Sequence, residues 1–137
     1  MNTNLKIKRG DIVWVENTLA NDSVQKGVRP YLILSNNLCN THSNILTAVP
    51  FTTNTNKKEL PTHYKLQVFG VDNIALCEQL TTITRNSILK RICTITDYDL
   101  EQIEEKIKIQ VGIGGIKWDT TNMCMIWLEH IFTEMSN

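Results

Sequence analysis

The spacing of its apolar runs constrains this chain most. Ile12-Val13-Trp14-Val15, Tyr31-Leu32-Ile33-Leu34 and Ile45 to Val49 are short, β-branched and aromatic, and so read as strands rather than helices. Polar stretches with loop composition separate them: Asn17 to Lys26, closed by Gly27, then Asn36 to Asn44, then Thr52 to Leu60. From Thr62 to Phe69, Tyr64, Leu66 and Val68 alternate with His63, Lys65 and Gln67, the period of a half-exposed strand. Gly70 to Asn73 reads as a turn and Ile74 to Leu80 as a further strand. Asn86 is placed to cap a helical turn through Ser87 to Lys90, before a last small strand at Ile92 to Ile95. Five to seven short strands at regular intervals, with no long helices between them, predict a small closed or half-closed β-barrel rather than a doubly wound sheet.

Helical periodicity begins only at Asp97. Leu100, Ile103, Ile107 and Val111 recur at helical spacing. Acidic residues crowd the first half of that helix while Lys106 and Lys108 come later, which suits the helix dipole. Gly112-Ile113-Gly114-Gly115 predicts its stop. Met123, Trp127, Ile131 and Met135 then predict a second amphipathic helix over Thr120 to Met135. With 137 residues, 42% of them hydrophobic, the chain fits one domain (1–137) with a real core. No apolar run reaches the ~18 residues of a membrane span, and the polar, basic first eight residues lack a secretory core. The expectation is a cytoplasmic protein.

The zero net charge conceals an asymmetry. Residues up to Ile95 hold 11 Lys/Arg against 6 Asp/Glu, and the remainder hold 3 against 8. A basic body is compatible with a polyanionic ligand, although two solvated faces of opposite sign would give the same count. Cys39, Cys77, Cys93 and Cys124 form no close pair, so they predict reduced thiols packed as small hydrophobes rather than a zinc site.

Phosphate-loop, zincin and nucleophile-elbow motifs are absent from the sequence. Three strand ends carry candidate chemistry instead. In Gly27-Val28-Arg29-Pro30, the proline biases Arg29 toward an extended backbone at the mouth of a strand. Its guanidinium fork there suits either a phosphate or a carboxylate. In Pro50-Phe51-Thr52-Thr53-Asn54, a threonine hydroxyl at a strand end could serve a phosphate oxygen or cap a turn. Glu78-Gln79 could supply a base and a reader of base edges, or simply solvate a strand end. His63 reads first as a polar residue anchoring a strand start.

Taken in order, these segments resemble the MazF/PemK family of toxin ribonucleases, the mRNA interferases of type II toxin–antitoxin systems. The resemblance rests on Arg9-Gly10-Asp11-Ile12-Val13, on Gly27-Val28-Arg29-Pro30 with Tyr31-Leu32-Ile33-Leu34-Ser35-Asn36, on Leu60-Pro61-Thr62-His63, and on Glu78-Gln79-Leu80-Thr81-Thr82-Ile83. It spans roughly residues 8 to 113 and leaves 117–137 as a helical extension. It implies an SH3-like barrel with a C-terminal helix, a homodimer, and metal-independent cleavage of single-stranded RNA. Arg29 and Thr52 fall on the family's catalytic pair, with Thr53 as a neighbouring alternative. The implied reaction is attack of the RNA 2′-hydroxyl on the adjacent phosphorus, leaving a 2′,3′-cyclic phosphate and a 5′-hydroxyl. A fixed arginine and a hydroxyl donor would stabilise the charge that grows on the phosphoryl oxygens. DNA lacks the attacking hydroxyl and would bind without being cut.

RNA contacts are expected from Ser23 and Gln25 in the first loop, Thr53, Lys57 and Lys58 in the second, His63 and Gln79. Trp14 and Tyr31 could stack on bases, although strand packing suits both. The implied partner is a MazE-like antitoxin whose acidic tail covers the RNA groove. The chain departs from its relatives at Val24, where many carry glutamate, and in the 117–137 extension, predicted to pack Trp127 and Ile131 on the body or on a dimer partner. Two other readings share the fold: a gyrase poison of the CcdB type and a non-catalytic RNA- or peptide-binding module. Neither needs Arg29 and Thr52 as a pair.

Overall fold

The computed structural model describes residues 5–17, 27–56 and 58–114. Ser23, Val24, Gln25, Lys57, Cys124 and the helix predicted at Thr120 to Met135 lie outside the described residues. The elements run β1 (Asp11–Asn17), β2 (Gly27–Ile33), α1 (Asn37–His42), β3 (Ile45–Thr52), β4 (His63–Val68), β5 (Val71–Leu76), β6 (Thr81–Thr84), β7 (Ile88–Thr94) and α2 (Asp97–Val111). Short 3₁₀ turns at Cys77–Gln79 and Arg85–Ser87 precede β6 and β7.

All strand pairings are antiparallel, in the order β4-β5-β3-β2-β1-β7. The pivot is β3. Along one edge it pairs β2, from Ile33↔Ala48 to Tyr31↔Pro50. Its other edge pairs β6 over Ile45 to Ala48, then β5 at Phe51 and Thr52. One strand thus serves two sub-sheets and bends the whole into the half-closed SH3-like barrel expected.

Both faces of the sheet are buried, which explains why β1 and β2 read as continuous apolar runs rather than alternating ones. Val13, Val15, Tyr31, Ile33, Leu46, Ala48, Ile83 and Ile88 form a core on one face. Ile12, Leu32, Val49, Phe51, Val68, Ala75 and Cys77 form a second core on the other, closed by Ile103 of α2. Thr96 caps α2 by accepting from Asp99 N at 3.1 Å, and Gly112 ends it in the left-handed region at φ 72°. Tyr64 of β4 donates to Asp99 Oδ1 at 2.6 Å, and Arg9 pairs with Glu104 at 2.9 Å, so α2 is pinned to the barrel at both positions. Burial first, then the bond to Asp99, pushes the Tyr64 hydroxyl up to about 12.

Local details differ from the sequence reading. The stretch Asn36 to Asn44 is not all loop but holds α1, capped by Asn36, which accepts from Cys39 N at 2.9 Å. Its C-terminal carbonyls receive the Arg85 guanidinium, which donates to Asn40 O and Ser43 O. Strand β5 begins at Val71 and stops at Leu76, because Cys77 to Gln79 turn into the 3₁₀ geometry. The helical turn near Asn86 is Arg85–Ser87, and β7 takes up Ile88 to Lys90 as strand. Among the described residues, no helix is long and apolar enough to cross a membrane.

Candidate functional site

A cleft of about 420 Å³ opens where β2 and β3 part company. It is lined by Trp14, Val28, Arg29, Pro30, Phe51, Thr52, Thr53, Asn54 and Asn73. Beyond Tyr31↔Pro50, β2 continues with β1 as far as Asn17↔Gly27, while β3 turns to β5. Carrying the β2–β3 register two residues further would set Arg29 opposite Thr52 on one face of the sheet. The two strand ends identified in the sequence therefore face each other across one gap.

The chemistry of the cleft is that of an anion site with a directional hydroxyl. Arg29 is half-buried and presents a planar fork of donors. Thr52 is half-buried at the end of β3, and its Oγ1 accepts from Asn54 N at 3.1 Å. With an incoming N–H on that oxygen, the hydroxyl hydrogen is left to donate elsewhere. Asn54 in turn accepts from Asn56 N at 3.2 Å, so the wall after Thr52 is a chain of short-range side-chain-to-backbone bonds. Thr53 lies exposed on the same wall.

The remaining sequence candidates fall elsewhere. His63 does not line the cleft and is not half-exposed: its side chain is 2% exposed. Its Nδ1 accepts from Leu60 N at 3.3 Å, which leaves Nε2–H to donate to Glu78 Oε1 at 2.9 Å. Thr62 Oγ1 donates to the other carboxylate oxygen at 3.0 Å. Burial works to raise the Glu78 pKa, but the hydrogen bonds from His63, the backbone and Thr62 outweigh it and hold the carboxyl below its ordinary value. Glu78 is thereby committed as a double link between the start of β4 and the 3₁₀ turn after β5. Gln79 sits exposed on the 3₁₀ turn, and Lys58 is exposed on the loop before β4; neither lines the cleft.

The structure also adds residues the sequence reading passed over. Val28, Pro30 and Phe51 give the cleft apolar walls beside Trp14, and Asn73, read from sequence as turn, lies in its floor at 4% exposure. Its placement after Gly70-Val71-Asp72 gave no signal, because only the β3–β5 pairing carries it to Thr53.

Comparison with known proteins identifies relatives of the chain. The chain resembles the Endoribonuclease MazF of Staphylococcus saprophyticus, 25% identical over 115 residues that cover 81% of this chain and 96% of the relative. It is 28% identical to the Endoribonuclease EndoA of Bacillus subtilis over 111 residues, 78% of this chain and 96% of that one. Among solved structures, MazF from Deinococcus radiodurans superposes with a TM-score of 0.69 at 22% identity, covering 80% of this chain and all 100% of that one. A mycobacterial endoribonuclease in complex with its cognate antitoxin gives 0.66 at 19% identity, over 82% and 99% of the two chains. Residues 8–111 match the model of the PemK-like, MazF-like toxins of type II toxin–antitoxin systems, and the chain belongs to that family.

Proposed function

We propose that this toxin is an endoribonuclease that cuts single-stranded RNA in the cleft between β2 and β3, with Arg29 and Thr52 as its catalytic pair. One observation carries the reading: the two residues come from separate strand ends and line the same gap. In the reaction, the ribose 2′-hydroxyl gives up its proton as its oxygen bonds to the adjacent phosphorus and the bond to the 5′-oxygen breaks. A 2′,3′-cyclic phosphate remains on one fragment. The other leaves as a 5′-hydroxyl after its oxygen takes up a proton.

Arg29 holds the phosphate through charge-assisted donors, and the Thr52 hydroxyl donates to a phosphoryl oxygen as its charge grows. Pro30 biases the backbone at Arg29 toward the extended region, and Thr52 Oγ1 is oriented by the bond from Asn54 N. Thr53 and Asn54 form a polar outer wall for the flanking nucleotides, and Lys58 and Gln79, exposed outside the cleft, extend the contacts. A homodimer and a MazE-like antitoxin complete the assembly. A cognate antitoxin bound to a mycobacterial endoribonuclease of the same fold supports that partner.

The test is incubation of purified protein with a long single-stranded RNA in EDTA, with cut ends mapped. Wild type is expected to give discrete cuts with 5′-hydroxyl ends, and Arg29→Ala to lower the rate by about 10²–10³, the usual effect of removing one transition-state donor. Equal cutting by both proteins would remove Arg29 from the site, and no cutting of several unrelated RNAs would remove the ribonuclease reading.

A further inference from the structure

Asn73 lines the cleft and holds a buried acceptor without a partner. The residue is 4% exposed, and its Oδ1 has neither exposed surface nor a hydrogen-bond partner. Its Nδ2 donates to Val71 O at 3.0 Å. A carbonyl can only accept, so the nitrogen must face Val71 and the oxygen must face the other way. A buried amide oxygen left without a donor costs about 1–3 kcal/mol, and native proteins keep such groups mostly where function uses them. Asn73 stands one position before Ile74 in β5, and Ile74 pairs with Thr52, so the β3–β5 register sets Asn73 next to Thr53. It belongs to the same cleft as Trp14, Pro30 and Phe51.

Apolar and aromatic walls with one fixed acceptor describe a pocket for a flat, donor-bearing ring. The phosphate of the substrate brings no donor, and Arg29 and Thr52 already supply the donors that it needs. A nucleobase fits the walls by stacking and van der Waals contact. One Nδ2–H is committed to Val71 O, and the Asn73 atom left with no partner at all is the acceptor Oδ1. We infer that Asn73 is a specificity-determining residue of this site, whose Oδ1 accepts from the exocyclic amino group of one base flanking the cut. The inference rests on the ribonuclease reading given above. Since Oδ1 has no exposed surface, the exposed Thr53–Asn54 wall must move aside for the base to enter.

A site built to hydrogen-bond a substrate N–H disfavours a base that lacks it, since the acceptor is then buried unpaired. Cut sites of wild type, Asn73→Ala and Asn73→Asp are mapped on a long RNA of mixed sequence, alongside thermal melts of each protein. Wild type is expected to favour an amino-bearing base at one position by roughly tenfold or more. Asn73→Ala should lose that preference at that position alone, while Asn73→Asp, which retains the acceptor, should keep it at a lower overall rate. A purely structural role for Asn73 would lower cutting at every site alike and leave the motif intact. An unchanged motif in Asn73→Ala would therefore overturn the inference, as would a wild-type motif with no position selecting an amino-bearing base. Should Asn73→Ala melt below the assay temperature, Asn73→Ser decides by the same criterion. Failure of the underlying reading looks different, since wild type itself would then leave every RNA intact.

Discussion

Removing the Glu78 carboxylate should destabilise the barrel far more than replacing it with its amide. Glu78 accepts from His63 Nε2 at 2.9 Å and from Thr62 Oγ1 at 3.0 Å, and both donors are buried, with Thr62 fully enclosed. In Glu78→Ala each loses the carboxylate that accepts from it, at about 1–3 kcal/mol per stranded buried group. The sum is about 2–6 kcal/mol, which for a domain of this size lowers the melting temperature by roughly 10–20 °C. In Glu78→Gln the amide oxygen still accepts from His63, while its nitrogen can donate to the Thr62 hydroxyl oxygen, so the loss should be about 1 kcal/mol. The two variants also differ in pH response. The folded pKa of Glu78 lies below its ordinary value, so the contribution of the ionised carboxylate is full above the ordinary carboxylate range and is lost as pH falls through the folded value. Urea melts at pH 7, then stepped down below pH 5, separate these effects. Wild type should lose stability in that acid range faster than Glu78→Gln. A Glu78→Ala protein within about 0.5 kcal/mol of wild type at pH 7 would refute the argument that the network is a buried lock.

Two further outcomes test the core. Ile103 is the fully buried contact of α2 with the sheet, so Ile103→Ala should cost about 2–5 kcal/mol in chemical denaturation; a loss below 1 kcal/mol would mean that α2 is not anchored there. Cys77 is fully buried, and burial first, then the nearby Glu78 charge, pushes its thiol up to about 12. Iodoacetamide at pH 8 should leave it unmodified in the native protein and alkylate it after unfolding in guanidinium, read by peptide mass. Native labelling at the denatured rate would contradict the packing.

Local chemistry made most of the strands and α2 legible. The β-branched runs, the alternation from Tyr64 to Val68, the helical period from Leu100 and the Gly112 stop all act within a few residues of themselves. What escaped depends on distant partners. The helix α1 is only six residues long, and its carbonyl end is satisfied by Arg85, more than 40 residues away. No window around Asn37 contains that information. His63 falls on the polar positions of an alternating strand, so periodicity assigned it to the solvent side; the Glu78 carboxylate, 15 residues later, is what makes its burial tolerable. Asn73 was hidden for the same reason, because it enters the cleft only through the pairing of β3 with β5. Arg29 and Thr52, by contrast, stood out from local pattern as candidates, Arg29 directly before Pro30 and Thr52 two residues after Pro50.

Those prolines do more than mark the strand ends. Leu34 N donates to Thr47 O at 2.9 Å, which fixes which backbone groups of β2 and β3 face each other. With the two-residue period of an antiparallel ladder, the next donors of β2 toward β3 are Leu32 and then Pro30. Pro30 has no N–H to give to Phe51, and the ladder stops at Tyr31↔Pro50. On the opposite edge of β3, the same period points Pro50 away from β2, between the stretch paired with β6 and the stretch paired with β5. Its missing N–H falls where one partner strand hands over to the next. One proline thus ends the pairing that would have closed the cleft, and the other lies at the partner switch that brings β5, and with it Asn73, to the cleft wall. The residues that interrupt the sheet therefore shape the cleft that Arg29 and Thr52 line, since an uninterrupted ladder would close the gap between β2 and β3 with backbone hydrogen bonds.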